Sequence, residues 1–214
     1  MAYGVSRKLQ QSLFWFVMGY YVEHIGNLLL IYKLHRQKSI YGVSIESQVC
    51  LLIATLSRCI WFSDTRLPTM NLAWAELIRA VSLHSYIVFL CFKFKDNLYK
   101  EPPLAVKSYM LVGVAFILSM IFHPGSKHDT YFFTQQMFVS FTLFVEALSL
   151  VAQLWHMKTS MAVEGINTWY LIALGVSRFS RIFFWQSMGG KLKQFWYLIA
   201  ADVIHSILTV WFAY

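Results

Sequence analysis

Eight ionisable side chains lie within long apolar runs of the sequence, where a charge is most costly. Four are acids and four are arginines: Glu23, Glu76, Glu146, Asp202, Arg58, Arg79, Arg178 and Arg181. At the centre of a membrane helix each would cost about 2.5–3.5 kcal/mol on insertion scales. Such residues persist when they pair with one another, line a wet cavity or bind a ligand. Equal numbers of each sign favour mutual pairing, and arginine suits bidentate binding of carboxylates.

The spacing of Glu76 and Arg79 places both on one helix face, because residues three apart are neighbours there. We expect them to form a local structural ion pair. Arg58 stands alone in its apolar run and needs an anion, whereas Glu23 beside His24 is the mirror case. An ion pair between Arg58 and Glu23 would give each of these charges a counter-charge. His24 adds a group that changes charge between pH 5 and 8.

Arg178 and Arg181 share a helix face and repel each other unless anions meet them. The candidate anions are Glu146, Glu23, a lipid headgroup or the carboxylate of a ligand. A structural role and a ligand-binding role are equally open for this pair.

The sequence contains no motif typical of catalysis. It has no HExxH, no GxSxG and no glycine-rich phosphate loop, and its 3 cysteines form no CxxC pair. We therefore expect neither an enzyme nor a metal or cofactor site. The net charge of +8 is typical of loops that meet anionic headgroups, so we expect no nucleic-acid partner.

The composition predicts a membrane protein. Of 214 residues 58% are hydrophobic and 13% charged, about half the 25% typical of soluble domains, and the mean hydropathy is +0.53. A soluble globule of this size could not bury so much apolar surface. Seven apolar stretches are each close to the ~20 residues that a membrane-spanning helix needs. They cover residues 13–32, 47–63, 72–92, 104–122, 131–155, 168–186 and 195–214.

A short motif occurs twice, about 120 residues apart. GVS at 42–44 precedes LSR at 56–58, and GIN at 165–167 precedes VSR at 176–178. Two three-helix halves joined by a linker helix would produce this pattern, with a site between the halves. We predict a single membrane domain over 1–214, with half-repeats 13–93 and 131–214 and a linker helix over 104–123.

Segments 144–154 (FVEALSLVAQL) and 170–178 (YLIALGVSR) resemble the KDEL receptors, which retrieve escaped luminal proteins to the endoplasmic reticulum. Ser44, the SQV at 47–49 and Arg58 match as well, and the similarity runs with gaps from about Lys33 to Trp185. The resemblance implies an all-α fold with seven transmembrane helices in a 3+1+3 arrangement, which solute carriers of the SWEET type share.

The resemblance also implies roles for particular residues. Arg58 falls on the arginine that takes the terminal carboxylate of the retrieval peptide, and Arg178 on the one that pairs with its acidic side chains. Glu146 and Trp185 fall on a helix-five glutamate and a latch tryptophan. His24 lies near the histidine that favours binding in acidic compartments, if one gap is allowed.

The sequence also departs from the family pattern. Trp61 replaces a helix-two aspartate, Ser177 and Arg181 replace two tyrosines that contact the peptide, and Phe184 replaces an asparagine. We also expect no coat-recruiting tail after the seventh stretch. The candidate residues for binding the anion of a peptide or lipid are Arg58, Arg178 and Arg181, supported by Glu146, Trp185 and Glu23, with His24 as candidate pH sensor.

These departures favour a repurposed relative that serves as an accessory subunit of a larger membrane assembly, with lipids and other membrane subunits as partners. The alternative is a retrieval receptor that binds luminal C-terminal signals in a pH-dependent way. A third hypothesis is a SWEET-like carrier of a small solute. The resemblance predicts the endoplasmic reticulum and Golgi, whereas a subunit could lie in another membrane such as the mitochondrial inner membrane.

Overall fold

The computed structural model describes residues 2–62, 71–95, 101–123, 135–160, 165–187 and 192–213. These residues form seven α-helices and one short 3-10 turn, so the predicted all-α fold is confirmed. The helices are α1 (Ala2–Gln37), α2 (Ile45–Phe62), α3 (Asn71–Lys93), α4 (Ser108–Ile121), α5 (Gln135–Ser160), α6 (Gly165–Ser187) and α7 (Leu192–Ala213).

The protein is a polytopic membrane protein. Within the described residues, four helical segments are long and apolar enough to cross a membrane: Leu13–Gln37, Ile45–Phe62, Asn71–Lys93 and Met137–Thr159. Two shorter apolar helices, Ser108–Ile121 and Trp196–Ile207, accompany them. Helix α6 is less apolar because Arg178 and Arg181 interrupt it, so its place in a bilayer depends on its neighbours.

The helices pack in a pattern that is nearly symmetric. Helix α1 packs on α6 and α2 on α5, while α1 and α2 both contact α3, just as α5 and α6 both contact α7. Exchanging α1–α3 for α5–α7 therefore maps each of these contacts onto another. Helix α4 lies outside this pattern, against α5 and α2. Two halves and a linker would pack in this way; the boundaries of the half-repeats stay a prediction.

Two glycines allow α1 and α6 to approach closely. A Cβ atom added at Gly19 would lie 2.9 Å from the backbone oxygen of Ser177, and one at Gly26 would lie 2.9 Å from the Cβ of Ala173. Positions seven apart lie on the same face of a helix, so both glycines face α6. Larger side chains at either position would push the two helices apart.

The turn between α1 and α2 is fixed by a side chain from α5. The amide of Gln153 donates to the backbone oxygen of Gly42 at 2.7 Å and accepts from the backbone N–H of Ser44 at 3.0 Å. Gly42 has φ 76°, a conformation that favours glycine. Gln153 therefore joins the start of α2 to α5.

Candidate functional site

The predicted site residues lie together in one buried layer between the helices. Arg178 and Arg181 are only 0% and 1% exposed. The other members are equally inaccessible: Glu23, His24, Arg58, Glu76, His84, Glu146, Trp185, Asp202 and His205. The arginines are therefore closed off in this conformation from lipid headgroups and from peptides alike, and their role in binding an anion stays a prediction.

Apolar residues close the layer on both sides. Along α1, Phe16 and Tyr20 precede Glu23 in one apolar cluster, and Leu30 and Leu34 follow it in another. Along α6 the order of the two clusters is reversed: Leu171 and Leu174 belong to the second cluster and Phe184 to the first, and the arginines lie between them. A ligand could reach the layer only after one apolar cluster opens.

Three carboxylates from three helices surround Arg178 and Arg181. Nη1 of Arg178 lies 3.3 Å from Glu23 Oε2 and 2.8 Å from Glu146 Oε2. Arg181 contacts the same Glu146 oxygen at 2.6 Å through Nη1, and Asp202 Oδ1 at 2.6 Å through Nη2. Of the candidate anions, Glu146 and Glu23 therefore contact this pair of arginines, and Asp202 of α7 completes the set.

Arg58 pairs with Glu76 of α3, with Nη2 and Oε1 separated by 2.7 Å. The predicted local pair of Glu76 and Arg79 is therefore wrong. Residues three apart on a helix differ in direction by about 60°, which is enough to turn Glu76 inward and leave Arg79 exposed. The guanidinium of Arg79 lies 5.7 Å from the centre of the Tyr21 ring instead.

Tyr20, which the sequence analysis missed, links the two groups of arginines. The guanidinium of Arg58 lies over its ring at 3.8 Å. Its hydroxyl donates to Glu146 Oε1 at 3.3 Å and accepts from Arg181 Nη1 at 3.1 Å. The sequence feature that could have identified Tyr20 is its hydroxyl, which lies about one helical turn before Glu23.

Two histidines contact the acids of the layer. Nε2 of His24 lies 3.4 Å from the carboxylate of Glu76 and 3.3 Å from its backbone oxygen. Nε2 of His84 lies 3.3 Å from Glu23 Oε1 and 3.4 Å from Asn27 Nδ2. The structure thus brings His24 to the acid that holds Arg58, and adds His84, which the sequence analysis did not select.

Trp185 and Trp61 both donate hydrogen bonds near the layer. Nε1 of Trp185 donates to Asp202 Oδ2 at 3.0 Å, so the candidate latch tryptophan holds an acid of the layer. Trp61 donates to Thr142 Oγ1 at 3.1 Å and contacts the ring of Phe16.

The layer retains hydrogen-bonding capacity for an anion. Three arginines face four carboxylates, so the described layer carries one net negative charge while its histidines are neutral. Nε of Arg58, Nε and Nη2 of Arg178 and Nε of Arg181 have no hydrogen-bond partner within the described part of the chain. Such nitrogens can donate hydrogen bonds to carboxylate oxygens. Within the part of the chain that the structure describes, no group of three or more His, Cys, Asp or Glu side chains could hold a metal ion.

Comparison with known proteins points to one family. Residues 39–188 match the family described as ER lumen protein retaining receptor. The chain is 23% identical over 158 residues to the ER lumen protein-retaining receptor erd-2.2 of Caenorhabditis elegans, covering 74% of this chain and 70% of the relative. It is 23% identical over 163 residues to the ER lumen protein-retaining receptor of Dictyostelium discoideum, covering 76% and 74%.

Proposed function

The chain belongs to the ER lumen protein-retaining receptor family, and from that premise we propose that it is a membrane receptor for luminal proteins that carry a C-terminal retrieval signal. The family is one of transport receptors and not of enzymes, and it suggests the endoplasmic reticulum and Golgi as location. The names of the matched relatives favour this function over the accessory subunit that the departures in sequence favoured.

The observation that carries the proposal is the set of three buried arginines with donors still unused. Arg58, Arg178 and Arg181 come from two helices on opposite halves of the molecule and converge on one layer. Guanidinium groups bind carboxylates through charge-assisted hydrogen bonds. A peptide that ends in a carboxylate and carries acidic side chains would present several carboxylates to these guanidinium groups.

Binding would take the form of an exchange of carboxylates. Arg58 is held by Glu76, and Arg178 by Glu146 and Glu23, before any peptide arrives. The carboxylates of the peptide would replace these internal partners, and the displaced Glu76, Glu23 and Glu146 would keep His24, His84 and Tyr20 as their neighbours. An unpaired buried charge would otherwise oppose binding strongly.

His24 gives the exchange a dependence on pH. Its imidazole lies 3.4 Å from the Glu76 oxygen that holds Arg58. When His24 is protonated, Glu76 gains a second cationic partner and Arg58 is more easily released to the peptide. Peptide binding should therefore be tighter at acidic pH.

The experiment is a titration of the purified full-length chain with fluorescent peptides ending in Lys-Asp-Glu-Leu or His-Asp-Glu-Leu, at about pH 5.5 and about pH 7.4. We expect tighter binding at the lower pH, a loss of about tenfold or more in Arg58→Gln and Arg178→Gln, and a weaker pH dependence in His24→Asn, in which His84 still contacts Glu23. Arg36→Gln, which changes an exposed arginine at the end of α1, is the matched control.

The accessory subunit is the second candidate, and it is favoured by the ion pair that each arginine of the layer already forms with a carboxylate of this chain. A chain that keeps its normal unfolding temperature yet binds neither peptide at either pH would overturn the receptor proposal. A peptide with an amidated C-terminus separates the two cases further, because only recognition of the terminal carboxylate predicts that amidation abolishes binding.

A further inference from the structure

Arg79 is a charged residue at span depth that faces outward. It lies eight residues after the start of α3, which is about 12 Å along the helix and within one turn of Ser82 at its middle. Its side chain is exposed, and its guanidinium lies 5.7 Å from the ring of Tyr21 on α1. Within the described ranges no carboxylate lies within 4 Å of it.

The acidic residues at span depth already form ion pairs with arginines inside the protein. They are at most 4% exposed and are bound to arginines of the buried layer: Glu23, Glu76, Glu146 and Asp202. Turning any of them outward would break at least one ion pair of the buried layer. A second copy of this chain would bring the same committed acids, so it offers Arg79 no counter-charge.

Small and polar residues lie next to Arg79 within an otherwise apolar outward face of α3, which includes the exposed Ile78 and Phe89. Ala75, Ser82 and Tyr86 lie on the same face of α3 as Arg79, at intervals of four, three and four residues. Ser82 is exposed and turns its hydroxyl back to the Ile78 backbone oxygen at 2.9 Å. Small and polar residues of this kind are typical of contacts between helices in membranes.

The position of Arg79 also argues against a lipid headgroup as its partner. The nearer end of α3 is about 12 Å away along the helix axis, further than an arginine side chain reaches. Ionisable residues at such depth almost always face protein or water. A carboxylate at the same depth, on a neighbouring helix, would meet the charge directly.

We propose that the outward face of α3, formed by Ala75, Arg79, Ser82 and Tyr86, binds a membrane-spanning helix of a different polypeptide, and that Arg79 pairs with an aspartate or glutamate of that helix. This docking surface does not involve the arginines of the buried layer. The inference therefore stands whether or not the layer binds a peptide, and Arg79→Gln should leave peptide binding unchanged.

The test places a photo-crosslinking amino acid at Ser82 of the full-length chain in native membranes. The same amino acid at Ile117, exposed on the outward side of α4, is the matched control. We expect an adduct of one discrete mass from position 82 and none from position 117. Arg79→Gln should weaken the adduct by about tenfold or more, and Arg79→Lys should retain most of it.

The captured polypeptide must carry a carboxylate in a membrane span, and neutralising that carboxylate must weaken the adduct as much as Arg79→Gln does. Three results would overturn the proposal. These are adducts with lipid only, an adduct with the mass of two copies of this chain, or an adduct that Arg79→Gln leaves unchanged. Equal unfolding temperatures of the Arg79 variants and the unmodified chain exclude misfolding as the cause.

Discussion

Glu23 and Glu146 hold the same nitrogen of Arg178, at 3.3 and 2.8 Å, one from α1 and the other from α5. From 23 to 146, from 58 to 181 and from 42 to 165 the chain advances by the same 123 residues. Glu23 and Glu146 thus match, as do Arg58 and Arg181. Position 55, a threonine, matches Arg178, so among the three arginines of the layer Arg178 alone has no arginine 123 residues away.

Removing Glu76 should destabilise the protein strongly. In Glu76→Ala, Arg58 would remain buried without its carboxylate, and breaking a buried pair in this way costs about 3–5 kcal/mol. Thermal unfolding of the purified protein in a mild detergent measures the loss. Glu101→Ala removes an exposed carboxylate and should change little. Equal effects of the two substitutions would contradict a structural pair between Arg58 and Glu76.

Side chains at the close approach of α1 and α6 should not be tolerated. We expect Gly19→Ala and Gly26→Ala to cost about 1–3 kcal/mol each, because the new Cβ would lie 2.9 Å from atoms of α6. Gly113→Ala in α4 is the control, since no atom lies within 4 Å of its added Cβ. Alanine favours helix, so this control should be neutral or stabilising in the same thermal assay. Destabilisation of all three variants alike would refute the contact.

The hydrogen bond from Trp185 to Asp202 should contribute measurably to stability. Trp185→Phe keeps an aromatic ring but removes the donor, and a hydrogen bond to a charged group is worth about 1.5–3 kcal/mol. Trp169→Phe, on the same helix but 63% exposed, should have little effect. The difference in unfolding temperature between the two variants is the measurement, and a difference of zero would show that Asp202 does not depend on Trp185.

Gln153 should be needed to hold the start of α2. Gln153→Leu would leave the backbone oxygen of Gly42 and the N–H of Ser44 buried without partners, at about 1–3 kcal/mol for each group. Hydrogen exchange at the amides of the α1–α2 turn should become faster. Gln186→Leu, which changes an exposed glutamine of α6, should leave that exchange unchanged. Unaltered protection in Gln153→Leu would refute the anchoring role.

The sequence predicted the number and order of the helices well, because a membrane-spanning helix needs a long apolar run whichever helices it packs against. The second stretch, expected over 47–63, corresponds to α2 at Ile45–Phe62, and the third, over 72–92, to α3 at Asn71–Lys93. The first stretch was placed too short, since α1 continues well beyond its apolar part. Polar residues at its end carry no hydropathy signal, although they continue the helix.

The pairing within the layer was predicted less well. Arg178 and Arg181 meet the expected Glu146 and Glu23, but Glu76 and Arg79 do not form the expected pair. Spacing along one helix shows which residues can meet on that helix. It does not show how the helix is rotated against its neighbours, and this rotation decides between an inward and an outward charge.

The repeat illustrates the same difficulty. The short sequence motifs equate Arg58 with Arg178, because LSR at 56–58 resembles VSR at 176–178, whereas Arg181 ends the less similar FSR at 179–181. The ion pairs instead match Arg58 with Arg181, since each contacts an acid on the third helix of its own half. Short motifs show only that two segments have similar local sequences. Equivalent ion pairs show which residues occupy equivalent positions in the fold.

The arginines of α6 also bear on how the chain enters the membrane. During synthesis, Glu23 and Glu146 are made before Arg178 and Arg181, whereas Asp202 follows them in α7. A helix with two unpaired arginines partitions poorly into lipid. We therefore expect α6 to remain beside the earlier helices and to be released into the bilayer together with α7, so that these two helices insert as a hairpin rather than one at a time.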